Sequence, residues 1–226
     1  MASHFQHPLR AKALIFDMDG TLLLSAAVFE RIWRQWGEEN GMDGEAIIAV
    51  AHGRRMIDTV REVCPPGLDP DAVAAELSRQ EREDVEGIVA IAGVEPFLAS
   101  IPADRWAIVT SADLDLCRIR LKAAGITPPD VLITAEDVTK GKPDPQGYIE
   151  AARRLGVAPA DAIVFEDAPA GIAAGKAAGS PVLVIASMLK PETLGEENWS
   201  LDYTGLSVSV GADGDLTIEA NTPRVA

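Results

Sequence analysis

The stretch that decides the fold is Leu14-Ile15-Phe16-Asp17-Met18-Asp19-Gly20-Thr21. The apolar run 13–16 predicts a buried strand, because parallel strands covered on both faces have near-continuous apolar sequences. Asp17 follows that strand directly, at the strand end where open α/β sheets place their ligand crevices. Side chains alternate along an extended chain, so Asp17 and Asp19 are predicted to face one crevice. Alone, the stretch also fits an ordinary turn, since Asp and Gly are common turn residues.

Strands and helices alternate through the second half of the chain. Further strands are predicted at 106–110, 131–133, 162–165 and 182–185, and each of the first three is followed by a helical pattern. This alternation predicts βαβ units and therefore an α/β fold with a Rossmann-like, doubly wound parallel sheet. The segments 206–210 and 216–219 flank a Gly- and Asp-rich turn, which predicts a β-hairpin near the sheet edge.

Only helical patterns separate the first strand from the second. Ser25 is the predicted N-cap of a helix that ends at Glu39, and further helices are predicted at 45–51, 54–63 and from Asp69 or Pro70 to Glu86. The acidic runs 38–39 and 81–84 are interpreted as solvated helix faces. The predicted domains are an α/β core (11–23 and 92–220) and an all-helical insert (24–91), with frayed termini at 1–10 and 221–226.

Composition narrows the class of protein. The 226 residues are 47% hydrophobic, which supports a packed core, and the formal net charge is −15. An acidic chain argues against nucleic acid and against anionic membranes as partners, because both require a basic patch. Two distant cysteines, Cys64 and Cys117, indicate a reducing compartment. Without a membrane-spanning run or a signal-like start, a cytoplasmic protein is predicted, and we expect a monomer or weak dimer.

Polar residues of complementary type stand at four predicted strand ends. They are Asp17 and Asp19, Thr110 and Ser111, Lys142 in the loop after the third strand, and Glu166 and Asp167. These ends lie side by side in a doubly wound sheet, and four neighbouring carboxylates would repel one another strongly. A hard divalent cation relieves that repulsion, and Mg²⁺ is the natural choice for few carboxylates plus phosphate. Ser111 and Lys142 then remain as donors to phosphate oxygens.

This set of motifs resembles the haloacid dehalogenase superfamily of phosphohydrolases over residues 12–186, and the insert resembles the C1 cap of its subfamily I. The resemblance implies that Asp17 is the nucleophile that forms an aspartyl-phosphate and that Asp19 is the general acid and base. It implies phosphate binding by Thr110, Ser111 and Lys142. It also implies a Mg²⁺ site, whose ligands would be Asp17, the Asp19 main-chain carbonyl, Asp167 and, through water, Glu166.

The resemblance also narrows the reaction. Dehalogenases and phosphonatases of this superfamily lack the second aspartate, here Asp19, whereas phosphatases and phosphomutases keep it. Thr21 is more like phosphatases. Phosphomutases acting on β-glucose phosphate usually carry an apolar residue there and a histidine near the position of Phe29. Hydrolysis is therefore favoured, with a β-phosphoglucomutase-like phosphomutase and a non-catalytic phospho-ligand sensor as the alternatives.

Two further segments resemble particular phosphatases and so indicate the substrate. The aliphatic segment 22–24 and the run 165–175 resemble the glycerol-phosphate and 2-deoxyglucose-6-phosphate phosphatases, which implies a small sugar or polyol phosphate as substrate. In the insert, His52 and Arg55 stand at a predicted loop-to-helix start, where they are candidate substrate contacts. The alternatives are a helix-end or packing role for His52 and a solvated helix face for Arg55.

Overall fold

The computed structural model describes residues 3–5, 7–187 and 189–220. Its strands are β1 (Ser3–His4), β2 (Leu9–Ala11), β3 (Ala13–Phe16), β4 (Leu23–Leu24), β5 (Val89–Ala90), β6 (Trp106–Val109), β7 (Val131–Ile133), β8 (Ala162–Glu166), β9 (Val182–Ile185), β10 (Asn198–Ser200), β11 (Leu206–Val210) and β12 (Leu216–Ala220). Its α-helices are α1 (Ala26–Glu39), α2 (Gly44–Ala51), α3 (Met56–Val63), α4 (Pro70–Glu83), α5 (Val94–Ala99), α6 (Leu114–Ala123), α7 (Gln146–Arg154) and α8 (Pro169–Ala177). Within the described ranges, no helix is long and apolar enough to cross a bilayer.

The main sheet has seven strands in the order β1-β10-β9-β8-β3-β6-β7. All neighbours are parallel except β1, which runs antiparallel to β10. The strand β3 lies between β8 and β6, with Phe16 opposite Phe165 of β8 and Ile108 of β6. The predicted doubly wound α/β sheet is thus confirmed, and β10 extends it beyond the predicted strands.

Both faces of the sheet are buried, which explains the continuous apolar sequence of β3. Leu14 and Phe16 pack in an apolar cluster that continues into the insert. Ala13 and Ile15 pack on the opposite face with the small residues of α7 and α8. All four β3 residues are completely shielded from solvent. The alternation of neighbouring side chains between the two faces then leaves only the strand end for polar chemistry.

The helices α1 to α4 lie between β4 and β5, in the segment predicted as the insert. The chain enters the insert through β4 and leaves it through β5, and these two short strands pair antiparallel. Helix α3 starts at Met56, two residues later than predicted, because Arg54 and Arg55 adopt a non-helical loop. Helix α4 ends at Glu83 instead of residue 86, as Asp84 is already extended.

Two predictions about the chain ends are wrong. The hairpin β11–β12 forms as predicted, but it joins β2 in a separate three-stranded sheet instead of the edge of the main sheet. The predicted fraying of residues 1–10 fails for β1 and β2, which gain backbone partners in β10 and β12. Strand partners so distant in sequence leave no trace in a local pattern. The predicted fraying at 221–226 concerns residues outside the described ranges.

Candidate active site

The carboxyl ends of β3, β6 and β8 meet at one edge of the main sheet. Asp17 follows β3, Thr110 follows β6, and Glu166 ends β8. Lys142 reaches the same place from the loop that precedes α7, and its side chain is buried. The structure therefore brings together the residues predicted from four separate motifs.

Lys142 is held between two carboxylates. Its ammonium group donates to Asp17 Oδ1 at 2.5 Å and to Glu166 Oε1 at 2.6 Å. The Tyr148 hydroxyl donates to the same Glu166 oxygen at 2.8 Å. The other Glu166 oxygen accepts the main-chain N–H groups of the next two residues at 2.8 and 2.9 Å. A Cβ at position 171 would lie 1.5 Å from Glu166 Oε1, so Gly171 is what gives this carboxylate room.

Asp17, Glu166 and Asp167, here called the acidic cluster, place one carboxylate oxygen each within 4.8 Å of the others. Burial raises the pKa of Asp17 to about 7; the neighbouring Lys142 opposes this rise and Glu166 adds to it. Burial raises the pKa of Asp167 well above its ordinary value, and the carboxylates of Glu166 and Asp17 add to this rise. A divalent cation would reverse these effects, and three hard oxygen donors fit one of the Mg²⁺ type.

Asp19 has different partners from Asp17, although only one residue separates them. Its Oδ1 accepts a hydrogen bond from Ser25 Oγ at 2.6 Å and forms an ion pair with Arg120 Nη1 at 2.9 Å. Ser25 is the predicted N-cap of α1, yet its hydroxyl makes no capping bond there. Gly20 separates Asp19 from the acidic cluster, and a Cβ on Gly20 would lie 2.0 Å from Asp167 Oδ2. The carboxylates of the two aspartates thus have separate sets of partners.

The predicted phosphate-binding hydroxyls lie under the insert. Thr110 Oγ1 accepts the Ala112 main-chain N–H at 3.1 Å. Ser111 Oγ donates to the Gly53 carbonyl of the insert at 2.9 Å. Gly53 has a φ of +75°, and a Cβ there would lie 2.9 Å from the Ala168 Cβ. Only glycine therefore allows the loop of the insert to approach the catalytic edge of the sheet this closely.

His52 and Arg55 occupy different positions at the interface between insert and core. The His52 ring lies 4.8 Å from the Phe29 ring and lines the cavity above the two aspartates; burial lowers the pKa of this imidazole, and Glu30 partly opposes that effect. Arg55 is bonded to Asp58 and donates to two carbonyls of the core, at residues 138 and 139. It lines a smaller adjoining cavity with Ser111 and Lys142. Substrate contact by His52 and Arg55 stays a prediction.

Two buried charged residues escaped the sequence analysis. Glu81 was interpreted as part of a solvated helix face, but only 4% of it is exposed, because α4 packs against α6. Its Oε1 lies 3.3 Å from Nη2 of Arg120, which is equally buried. One signal could have found Arg120: it follows the buried Leu116 and Cys117 at helical spacing, on the core-facing side of α6. Glu81 likewise follows the buried Ala74 and Leu77 at helical spacing, but the charged residues around it favoured a solvated face.

A cavity of about 90 Å³ lies between the insert and the strand ends. The α/β core contributes Asp17, Asp19 and Ser111 to its lining, among other residues. The insert contributes residues from α1, α3 and α4, and these cover the opening above the two aspartates. A small molecule bound here would touch both the acidic edge of the sheet and the inner face of the insert.

The fold and the site together define a protein with a Rossmann-like α/β core and a buried carboxylate site beneath a helical insert. The chain belongs to the haloacid dehalogenase-like hydrolases, whose family model matches residues 11–179. It is 37% identical to hexitol phosphatase A of Escherichia coli (strain K12), over 93% of this chain and 100% of that protein. It is 34% identical to glycerol-1-phosphate phosphohydrolase 2 of Saccharomyces cerevisiae (strain ATCC 204508 / S288c), over 84% of this chain and 80% of that protein.

A solved structure agrees with this assignment at the level of the fold. The crystal structure of a hydrolase from Pseudomonas syringae is similar with a TM-score of 0.71 and 22% identity, covering 80% of this chain and 87% of that one. The predicted superfamily, the predicted hydrolase class and the predicted likeness to glycerol-phosphate phosphatases are confirmed.

Proposed function

We propose that this protein is a Mg²⁺-dependent phosphatase that hydrolyses small polyol or sugar phosphates through an aspartyl-phosphate on Asp17. The observation that carries this proposal is the separation of Asp17 from Asp19. Asp17 belongs to the acidic cluster beside Lys142, whereas Asp19 is held by Ser25 and Arg120. The substrate class is supported by the relatives that act on hexitol phosphates and glycerol 1-phosphate.

Asp17 is suited to attack phosphorus because its charge is balanced at close range. A carboxylate that approaches a phosphate dianion is repelled unless positive charge lies beside both groups. Lys142 supplies one such charge, and bound Mg²⁺ would supply the rest and align the two groups. Asp17, Asp167 and the Asp19 main-chain carbonyl would hold the ion, with Glu166 acting through water. The bond from Asp17 to phosphorus forms as the bond to the leaving oxygen breaks.

Asp19 is suited to move the proton. It donates to the leaving oxygen of the substrate and then accepts a proton from the water that hydrolyses the aspartyl-phosphate. Catalysis of this kind contributes on the order of 10²–10⁴-fold. Ser25 and Arg120 fix the Asp19 carboxylate through one of its oxygens, and the other oxygen stays available for the transfer.

Substrate binding divides between the two parts of the molecule. The Thr110 and Ser111 segment and Lys142 donate to the phosphate oxygens, while His52 and Arg55 are placed to approach the substrate from the insert. The hydrogen bond from Ser111 to the Gly53 carbonyl, which joins the two parts next to His52, supports this division. Cytoplasmic location and a monomeric or weakly dimeric state remain predictions from the sequence.

The experiment is phosphate release from a panel of esters, with and without EDTA. We expect turnover of hexitol and glycerol phosphates, its loss in EDTA, and its recovery with excess Mg²⁺. Full turnover in EDTA would contradict the metal dependence. Isomerisation of a sugar 1-phosphate in the presence of a bisphosphate primer, without free phosphate, would identify a phosphomutase instead.

A further inference from the structure

Three buried side chains of the cavity carry polar atoms that no described residue bonds. They are Trp33 Nε1, Thr59 Oγ1 and Arg120 Nε, and the Nη2 atom of Arg120 has only its 3.3 Å ion pair with Glu81. The exposed fractions of these residues are 1%, 1% and 4%. A buried polar atom without a partner destabilises a protein, so native structures rarely keep one. Three such side chains in the lining of one cavity indicate a place where a polar ligand completes the hydrogen bonds.

These atoms converge from elements that are distant in sequence. Trp33 belongs to α1, Thr59 to α3 and Arg120 to α6. Glu81 of α4 lines the same cavity, and its carboxylate lies 3.3 Å from the Arg120 guanidinium. A second ion pair, Arg82 with Asp113 at 2.6 Å, fixes α4 against the start of α6. These two ion pairs therefore hold Glu81 and Arg120 in place before any ligand arrives.

We propose that Trp33, Thr59, Glu81 and Arg120 form a subsite that binds the hydroxyl groups of the substrate's carbon chain. This inference rests on the proposed function and specifies the part of the ligand beyond the phosphate. The indole and the guanidinium only donate hydrogen bonds, the carboxylate only accepts, and the threonine hydroxyl does both. Vicinal alcohols also donate and accept, so a polyol satisfies every member of the set at once.

The charges of the subsite favour neutral groups over a second anion. Arg120 stands between the carboxylates of Asp19 and Glu81, so Glu81 balances its positive charge even when Asp19 carries the proton that it donates. A second phosphate or a carboxylate on the substrate would find no unbalanced positive charge here. The subsite thus selects monophosphates with a neutral polyhydroxylated chain, and it disfavours bisphosphates and phosphorylated acids.

The test removes two of the unpaired atoms; Thr59→Val keeps the shape of the side chain, whereas Trp33→Phe also shortens the ring. Thr59→Val and Trp33→Phe each delete one of them, and neither residue bonds Asp19. Sorbitol 6-phosphate is compared with hexyl phosphate, the six-carbon monoester that lacks the hydroxyls. We expect kcat/KM for sorbitol 6-phosphate to fall about tenfold in each variant. We expect kcat/KM for hexyl phosphate to stay within about twofold of wild type.

Stability provides a second readout, because loss of a structural hydroxyl would lower the melting temperature. For Thr59→Val we expect an unchanged or higher melting temperature, since the deleted atom has no partner. Trp36→Phe is the matched control. Trp36 lies on the same helix with its ring 5.7 Å from that of Trp33, but it is outside the cavity lining, so the preference for sorbitol 6-phosphate should not change.

Three outcomes would overturn the subsite. The first is an equal fall for both esters in Thr59→Val and Trp33→Phe, and the second is no fall for either. The third is wild-type protein that hydrolyses the two esters with equal kcat/KM, which would leave the proposed phosphatase function intact. Wild-type protein that releases phosphate from neither ester would instead overturn the proposed function itself, and the subsite with it.

Discussion

The two halves of the cavity differ in how far their polar groups are already paired. On the α/β core side, Asp17 of the cavity lining is paired with Lys142, which also binds Glu166. On the insert side, Trp33 and Thr59 present buried polar atoms that no described residue bonds, and Nε of Arg120 from the core helix α6 joins them. The difference indicates that the core half is preorganised for the reaction, whereas the insert half is completed by the ligand.

The difference has a structural origin. The core half stands on the ends of parallel strands, where main-chain groups and short side chains are fixed by the sheet. The insert half is assembled from side chains on several helices, joined to the core by the short pair β4–β5 and by contacts such as Arg55 to the carbonyls of residues 138 and 139. Substitutions in the helices of the insert can therefore change the contacts to a ligand without altering the residues at the strand ends.

The largest effect should come from Asp17, the proposed nucleophile on the core side. Asp17→Asn replaces the carboxylate by a neutral, weakly nucleophilic amide, and we expect phosphate release to fall by roughly 10⁴-fold or more. The fold should remain, because amide and carboxylate have nearly the same shape and the variant relieves repulsion within the acidic cluster. Phosphate release and circular dichroism measure the two expectations. Substantial turnover with Mg²⁺ present would show that the core half does not supply the nucleophile.

The second effect concerns stability without metal. The pKa of Asp17 rises from 3.8 to about 7 on folding, so the folded form holds its proton more tightly than the unfolded form. Proton binding by Asp17 therefore adds to the free energy of unfolding below about pH 4, and this contribution is lost as the pH rises towards 7. In EDTA we expect the free energy of unfolding to fall over this interval by about 4 kcal/mol at most, and Mg²⁺ to reverse the loss at pH 8.

Chemical unfolding at several pH values, in EDTA and in Mg²⁺, measures this dependence. Asp17→Asn is the control, because it lacks the titrating group and should lose this component of the pH dependence. If the free energy of unfolding of wild type in EDTA depended on pH in the same way as that of the variant, burial would not raise the pKa of Asp17.

The smallest effect should come from the contact between the halves. Arg55→Ala removes the hydrogen bonds to the carbonyls of residues 138 and 139, so the insert is held less firmly over the ligand. We expect KM to rise about tenfold and kcat to change less. Arg61→Ala is the matched control: it also removes a positive charge from the insert, but its pair with Asp71 is exposed and should have little effect. Similar kinetics for both variants would contradict a holding role for Arg55.

Local sequence was sufficient for the centre of the fold and for the core half of the site. An apolar run that ends in Asp17 identifies a strand buried on both faces, and the carboxyl ends of parallel strands share one edge. Residues from four motifs, among them Lys142 and Asp167, could therefore be placed together before the structure was known. Their identity and order also carried the resemblance to the family.

Local sequence was insufficient wherever a residue's role depends on a distant partner. Glu81 has the sequence environment of a solvated acidic helix, and only the packing of α4 on α6 buries it against Arg120. The strands β1 and β2 exist because β10 and β12 offer free edges.

The sequence by itself thus determined which strands end in polar residues at the site, because apolar periodicity and residue type are local properties. Tertiary structure alone decided which polar groups of the insert were left buried without partners, because burial and pairing are properties of several elements together.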